Sequence, residues 1–131
     1  LNKNGILSMV SEVYTYTGGA HGMSYLGGIS FDLNKGKSYE LKELFNKDSN
    51  YKQRFNDLIK REISAKEIPL LRDFEEIYDE QEYYLTEKGI VIYYQLYDYT
   101  PYAYGFLKIE IPYEDIKDII DQEGPLAKIC K

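Results

Sequence analysis

Apolar and polar residues alternate at the start of the chain, and that period of two predicts a pair of long strands. Over residues 6–16, Ile6, Val10, Tyr14 and Tyr16 fall on one side and Leu7, Met9 and Val13 on the other, which predicts a strand buried on much of both faces. Residues 23–33 repeat the pattern, with Tyr25, Ile29, Phe31 and Leu33 on one face. Gly27-Gly28 inside this strand predicts a bulge or a close backbone neighbour. Asn34-Lys35-Gly36-Lys37 then reads as a tight turn, with glycine where a positive φ is wanted. Beyond it the period lengthens. Leu41, Leu44 and Phe45 fit one short helical turn, and Asp48-Ser49-Asn50 offers helix caps. Tyr51, Phe55, Leu58, Ile59, Glu62 and Ile63 recur at steps of three and four, which predicts the longest helix of the chain, broken by Pro69. A shorter helix is expected over residues 70–78.

The second half returns to strands. Residues 81–85 read as one, Glu87-Lys88-Gly89 as a turn, and the β-branched and aromatic run 90–94 as a central strand. A tyrosine-rich loop over 97–104 leads into a strand at 106–111, which Pro112 closes, and a final short helix is expected through Ile120. The sum is an α+β fold: a mixed, largely antiparallel sheet packed against one long and two or three short helices. A length of 131 residues suits a single domain over 1–131. The chain opens on Leu1 rather than Met, and we expect an upstream domain or membrane anchor to precede it in a full-length protein.

Charge and composition narrow the partners. The net charge of −6 argues against a nucleic-acid partner and is compatible with a cationic one. No apolar run approaches the roughly 18 residues of a membrane span. The single Cys130 excludes an internal disulfide and a multi-cysteine zinc site, and with one histidine any metal site would have to be mostly carboxylate; neither metal nor cofactor is expected.

Four features bear on chemistry. Gly18, Gly19 and Gly22 surround His21, the only histidine, in a stretch suited to a sharp turn or a close approach. His21 can act as a base or ligand, or simply fix the glycine loop by hydrogen bonding, and no nucleophile stands beside it in an elbow. Asp32 and Asp98 can pair as acid and base only if the fold brings them together. Tyr93, Tyr94, Tyr97, Tyr99, Tyr102 and Tyr104 crowd around Pro101. The strand members of this group are expected in the core and the loop members on the surface, where tyrosine gives rigid contact area with a polar tip. Glu76, Asp79 and Glu80 belong to an acidic run, 73–87, that contains no lysine or arginine before Glu87; it is either a solvated face or a dock for a basic partner.

The order Tyr-Thr-Gly-Gly-Ala-His-Gly at 16–22, Phe-Asp-Leu with Gly-Lys at 31–37, Leu-Lys-Glu-Leu-Phe at 41–45, Tyr97 to Gly105, and Ile-Pro-Tyr at 111–113 resembles a known bacterial domain. That domain lies at the C-terminus of the anti-sigma factor RsiV and of the peptidoglycan deacetylase PdaC, and the resemblance covers about residues 6–120. It implies an extracytoplasmic, cell-envelope location. It also implies a non-catalytic binding or sensory role, with lysozyme (in the RsiV type) or a cell-wall component as partner, or an accessory role beside a cell-wall-acting domain. A glycan hydrolase is the third and least supported reading. The residues expected to bind are Gly18, Gly19, His21, Tyr97, Tyr99, Tyr102, Tyr104, Glu76, Asp79 and Glu80.

Overall fold

A computed structural model describes residues 1–16, 18–19 and 22–130. Strands β1 (Asn2–Lys3), β2 (Ile6–Thr15), β3 (Met23–Asp32) and β4 (Lys37–Ser38) form one antiparallel sheet in that order. Strands β5 (Tyr83–Leu85), β6 (Gly89–Tyr94) and β7 (Leu107–Pro112) form a second, also antiparallel. Between the sheets in sequence lies helix α1 (Tyr51–Ala65), and helix α2 (Pro125–Ile129) ends the described chain. The α+β class expected from the sequence is the class observed.

The core is built on β6, all six residues of which are buried. Ile90, Ile92 and Tyr94 face the same cluster as Leu107, Ile109 and Ile111 of β7, to which they are paired. Helix α1 lies against β7 and adds Phe55, Leu58 and Ile59. Each such side chain, fully buried, stabilises the fold by roughly 1.5–3 kcal/mol. The helix starts where its cap was expected, with the Asn50 side chain accepting a bond from the Gln53 amide. It stops at Ala65, ahead of Pro69, with Glu67 in the left-handed region at φ 49°. The expected turn at 34–37 is present, with Gly36 at φ 65° and the buried Asp32 carboxylate accepting the Asn34 and Lys35 amides.

Three small residues join the two sheets. Ser8, Gly28 and Ser30 share one side of the β2–β3 hairpin, and the backbone of the β5 edge sits against them. The Ser8 and Ser30 hydroxyls are 2.8 Å apart, and Ser8 Oγ accepts the outward-pointing Leu85 amide at 2.8 Å. A Cβ on Gly28 would lie 2.6 Å from the Tyr83 carbonyl oxygen. The expected bulge is absent, because the β2–β3 register runs unbroken from Ile6 opposite Asp32 to Thr15 opposite Met23, and the close neighbour is what Gly28 serves.

Several expectations are corrected. Strand β2 is not buried on both faces: beyond Ser8 every residue is exposed, since the hairpin projects past the second sheet. In β3 the buried side carries Leu26, Ser30 and Asp32, opposite to the side of Tyr25 and Ile29. Residues 70–78 form no helix. Their Leu71, Ile77 and Tyr78 amides bond to Tyr99 O, Asn56 Oδ1 and Gln81 Oε1, which holds them as an irregular strap. The helix expected from 113 to 120 is two separate 3-10 turns, Tyr113–Asp115 and Lys117–Ile119, and α2 was not anticipated.

The two adjacent glycines should respond differently to substitution. Gly28→Ala forces β5 off the hairpin and is expected to lower stability by about 1–3 kcal/mol. Gly27→Ala, whose Cβ would meet only Ser11 Oγ at 3.8 Å, should stay within about 0.5 kcal/mol of wild type. Urea unfolding of both variants checks this, and equal destabilisation would refute the close approach.

Candidate functional site

The strap and the tyrosine loop are stitched together by one polar cluster. The Arg72 guanidinium donates to Asp98 Oδ1 at 2.7 Å, to the Asp98 carbonyl at 3.1 Å and to the Tyr78 hydroxyl at 2.8 Å. The Tyr78 hydroxyl in turn donates to the Asp98 carboxylate at 2.8 and 2.9 Å. Asp98 therefore accepts from both partners, and Arg72 also lies over the Tyr99 ring, 3.9 Å from its centroid. Burial pushes the Tyr78 hydroxyl up to about 12, and its bond to the anionic Asp98 adds to the shift. The Asp98 bond likewise raises the guanidinium of Arg72, which stays charged at any working pH.

Beneath this cluster the aromatic rings pack edge to face, with Phe74 tilted on Tyr99. Tyr94 and Tyr99 have centroids 4.8 Å apart, Tyr78 and Tyr94 5.7 Å, and Phe74 and Tyr99 5.6 Å. The loop is thereby anchored to β6 through Tyr99, which is only 2% exposed. That corrects the expectation that the loop tyrosines are all on the surface: Tyr99 is a core residue with one face turned to Arg72. Burial raises the Tyr94 hydroxyl, which has no hydrogen-bond partner among the described residues. Tyr93 and Tyr94 are both in the core, as the strand reading expected.

Tyr97, Tyr102 and Tyr104 are exposed. Tyr97 stacks on Tyr102 with centroids 5.9 Å apart and ring planes 26° from parallel. The backbone of Tyr97 is left-handed at φ 68°, a conformation that costs a bulky residue about 1–2 kcal/mol. Two residues earlier, the Gln95 side chain accepts the Leu26 amide at 2.9 Å and donates to the Leu26 carbonyl at 2.8 Å. This amide pairs with β3 as a strand would, and it sets the hairpin's outer half beside the start of the loop.

An open cleft of about 550 Å³ lies along the strap, lined by Asp73, Glu75, Glu76 and Asp79 with Arg72, Ile77, Tyr78 and Tyr99. Glu76, Asp79 and Glu80 are all exposed; the first two line the cleft, whereas Glu80 lines a separate hollow with Gly28, Tyr39 and Tyr83. Asp79 pairs with Lys52 of α1, which holds its carboxyl below the usual range. Gly18 and Gly19 lie exposed at the hairpin tip with φ of 89° and 120°, and nothing described comes within 4 Å of where a Cβ would sit. His21 lies outside the described residues.

Asp32 and Asp98 do not form an acid–base pair. Asp98 belongs to the Arg72 cluster, whereas Asp32 is buried at the hairpin base and bonds Lys128 of α2 at 3.1 Å. Burial alone would raise the Asp32 carboxyl, but the Lys35 amide, Lys128 and the Asn34 amide outweigh it and hold it below the ordinary value of 3.8. Among the described residues no group of three or more His, Cys, Asp or Glu is placed to hold a metal ion, and no helix is long and apolar enough to cross a membrane. Arg72 and Tyr78 were not among the residues expected to matter, and Asp98 was singled out only as a possible acid–base partner of Asp32. The available signal was Arg72 itself, the one cation directly before the acidic run.

The arrangement is that of an α+β domain with a rigid, tyrosine-bearing loop beside an acidic cleft. The chain belongs to the DUF3298 family, described as a protein of unknown function, whose pattern matches residues 42–114. The match takes in α1, the strap, β5, β6, the tyrosine loop and β7, and leaves the hairpin outside. Among solved structures the chain is similar to a DUF3298 family member from Bacteroides fragilis NCTC 9343. That likeness has 26% identity and a TM-score of 0.76, over 95% of this chain and 52% of that one. It also resembles a DUF3298 family protein from Pseudomonas aeruginosa PAO1, at 22% identity and a TM-score of 0.70, over 89% and 56% of the two chains. The second likeness shows the fold alone. The chain spans about half the length of these solved structures. No curated protein matches it.

Removing the shared acceptor tests the cluster. Asp98→Ala should cost about 1–2 kcal/mol, the lower end because the site is partly solvated, and should return the Tyr78 hydroxyl toward 10. Spectroscopic tyrosine titration and urea unfolding read the two effects; an unmoved Tyr78 titration would contradict the assignment.

Proposed function

We propose that this domain is a non-catalytic, extracytoplasmic binding or sensory module of the bacterial cell envelope. Its recognition surface is the exposed tyrosine loop with the acidic cleft beside it, and its partner is a cationic protein such as lysozyme, or a cell-wall component. The resemblance to the C-terminal domains of RsiV and PdaC is what suggests the location and these partners. The observation that carries the reading is the Asp98–Arg72–Tyr78 cluster. It fixes the loop of Tyr97, Tyr102 and Tyr104 against a strap bearing Asp73, Glu75, Glu76 and Asp79. Rigid aromatic contact area beside a cleft in which carboxylates outnumber the one arginine suits a surface that steers a basic partner in and then holds it by burial. The strained left-handed Tyr97 supports the same reading, since such backbone strain clusters at functional sites. Catalysis is not favoured, because Asp32 and Asp98 are each neutralised by a separate cation.

A second reading is an accessory domain that positions or stabilises a neighbouring cell-wall-acting domain. It draws support from the solved relatives, which carry about as much chain again outside the matched part.

Calorimetric titration with a c-type lysozyme at low and moderate salt, with peptidoglycan fragments in the same series, tests the first reading. Binding to lysozyme that weakens as salt rises is the expected result, and Tyr102→Ala should weaken it about tenfold or more without moving the melting temperature. Absence of binding to either ligand would leave the accessory reading ahead. Salt-independent lysozyme binding would remove the role given to the acidic cleft.

A further inference from the structure

Among the described residues, the outer face of the β2–β3 hairpin carries no charge and is exposed over its middle, with Leu7, Met23 and Phe31 half-buried at its ends. It consists of the alternate positions 7–15 and 23–31, on the side away from Ser8, Gly28 and Ser30. None of these ten residues is charged, although at the chain's 29% charged content about three would be expected. Met9 is 53% exposed and its cross-strand partner Ile29 49%; Val13 is 57% exposed and its partner Tyr25 48%. These two pairs form apolar ridges on either side of the Ser11–Gly27 pair.

Among the described residues nothing requires Gly27 to be glycine. Its φ is not left-handed, and a Cβ there would meet nothing closer than Ser11 Oγ at 3.8 Å, unlike the crowded Gly28. What its missing side chain leaves is a notch between two apolar ridges, open to solvent. Glycine within a strand marks either a bulge or a surface that another group approaches, and no bulge is present.

We infer that this face is a self-association surface, on which a second copy packs its own ridge into the Gly27 notch across a two-fold axis. Charge selects the occupant. Two chains of net charge −6 repel one another over most of their surfaces, and this face lets them meet with no like charges opposed. Shape allows it too, because one face carries both ridge and notch and so complements itself, as a two-fold interface requires. Area sets the strength. Two strands of ten residues span about 33 Å by 10 Å, on the order of 500 Å² per copy with side chains, short of the roughly 800 Å² per partner of a standard interface. The dimer is therefore weak and forms only at high concentration.

Sedimentation velocity from about 10 μM to about 1 mM, bracketing the weak range of affinity, reads this directly. Wild type should pass from monomer to dimer with rising concentration, while Val13→Glu and, independently, Ile29→Lys should remain monomeric at the top of the range. Circular dichroism and the melting temperature establish that each variant is folded. A wild type that stays monomeric throughout overturns the inference and leaves the face to a further domain of a longer chain. A dimer that survives both substitutions also overturns it, because association would then use another surface, such as the open β2 edge at Val10, Glu12 and Tyr14.

Discussion

The structure depends on one seam, where the β5 edge meets three small side chains of the hairpin. An open edge would leave the Leu85 amide without an acceptor and expose the side of the sheet that contains β6. Ser8 supplies the acceptor, Ser30 holds the Ser8 hydroxyl, and Gly28 lets the Tyr83 carbonyl come in close. Larger residues at those three places would separate the sheets. With the seam closed, β6 has neighbours on every side, and the loop that leaves it at Gln95 starts from a fixed point.

From that point the recognition surface is assembled by contacts rather than by regular structure. The strap has no helix or strand of its own, and its amides are spent on Tyr99 O, Asn56 and Gln81. The loop is pinned twice, through the Tyr99 ring in the core and through Asp98 to Arg72 and Tyr78. Such double anchoring is what allows three tyrosines to remain exposed on a surface with little freedom, so that less order has to be imposed when a partner arrives.

What could be read in the sequence is what local chemistry decides. The six-residue run of β6, the Asn50 cap and four-residue period of α1, and the glycine at position 36 of the turn each follow from a few neighbouring residues. The strap was misread because Phe74 and Ile77, both buried, stand three apart as they would on a helix, whereas distant groups at Asn56 and Tyr99 capture its amides. The burial of Tyr99 was equally hidden, since nothing local distinguishes it from Tyr97 or Tyr102. In β2 the apolar residues on both sides suggested a buried strand. Sequence alternation cannot separate an interior strand from a projecting one with apolar faces, and only the extent of the second sheet decides. The Arg72–Asp98 pair spans 26 residues and leaves no trace in spacing.

The most direct test of the recognition surface is an amide NMR titration of this domain with c-type lysozyme. The account predicts that perturbed amides cluster at 72–79 and 97–104, with the outer face of the hairpin at 7–15 silent. Perturbations confined to the hairpin or to α2, or none at all, would contradict the account and move the functional surface elsewhere on the fold.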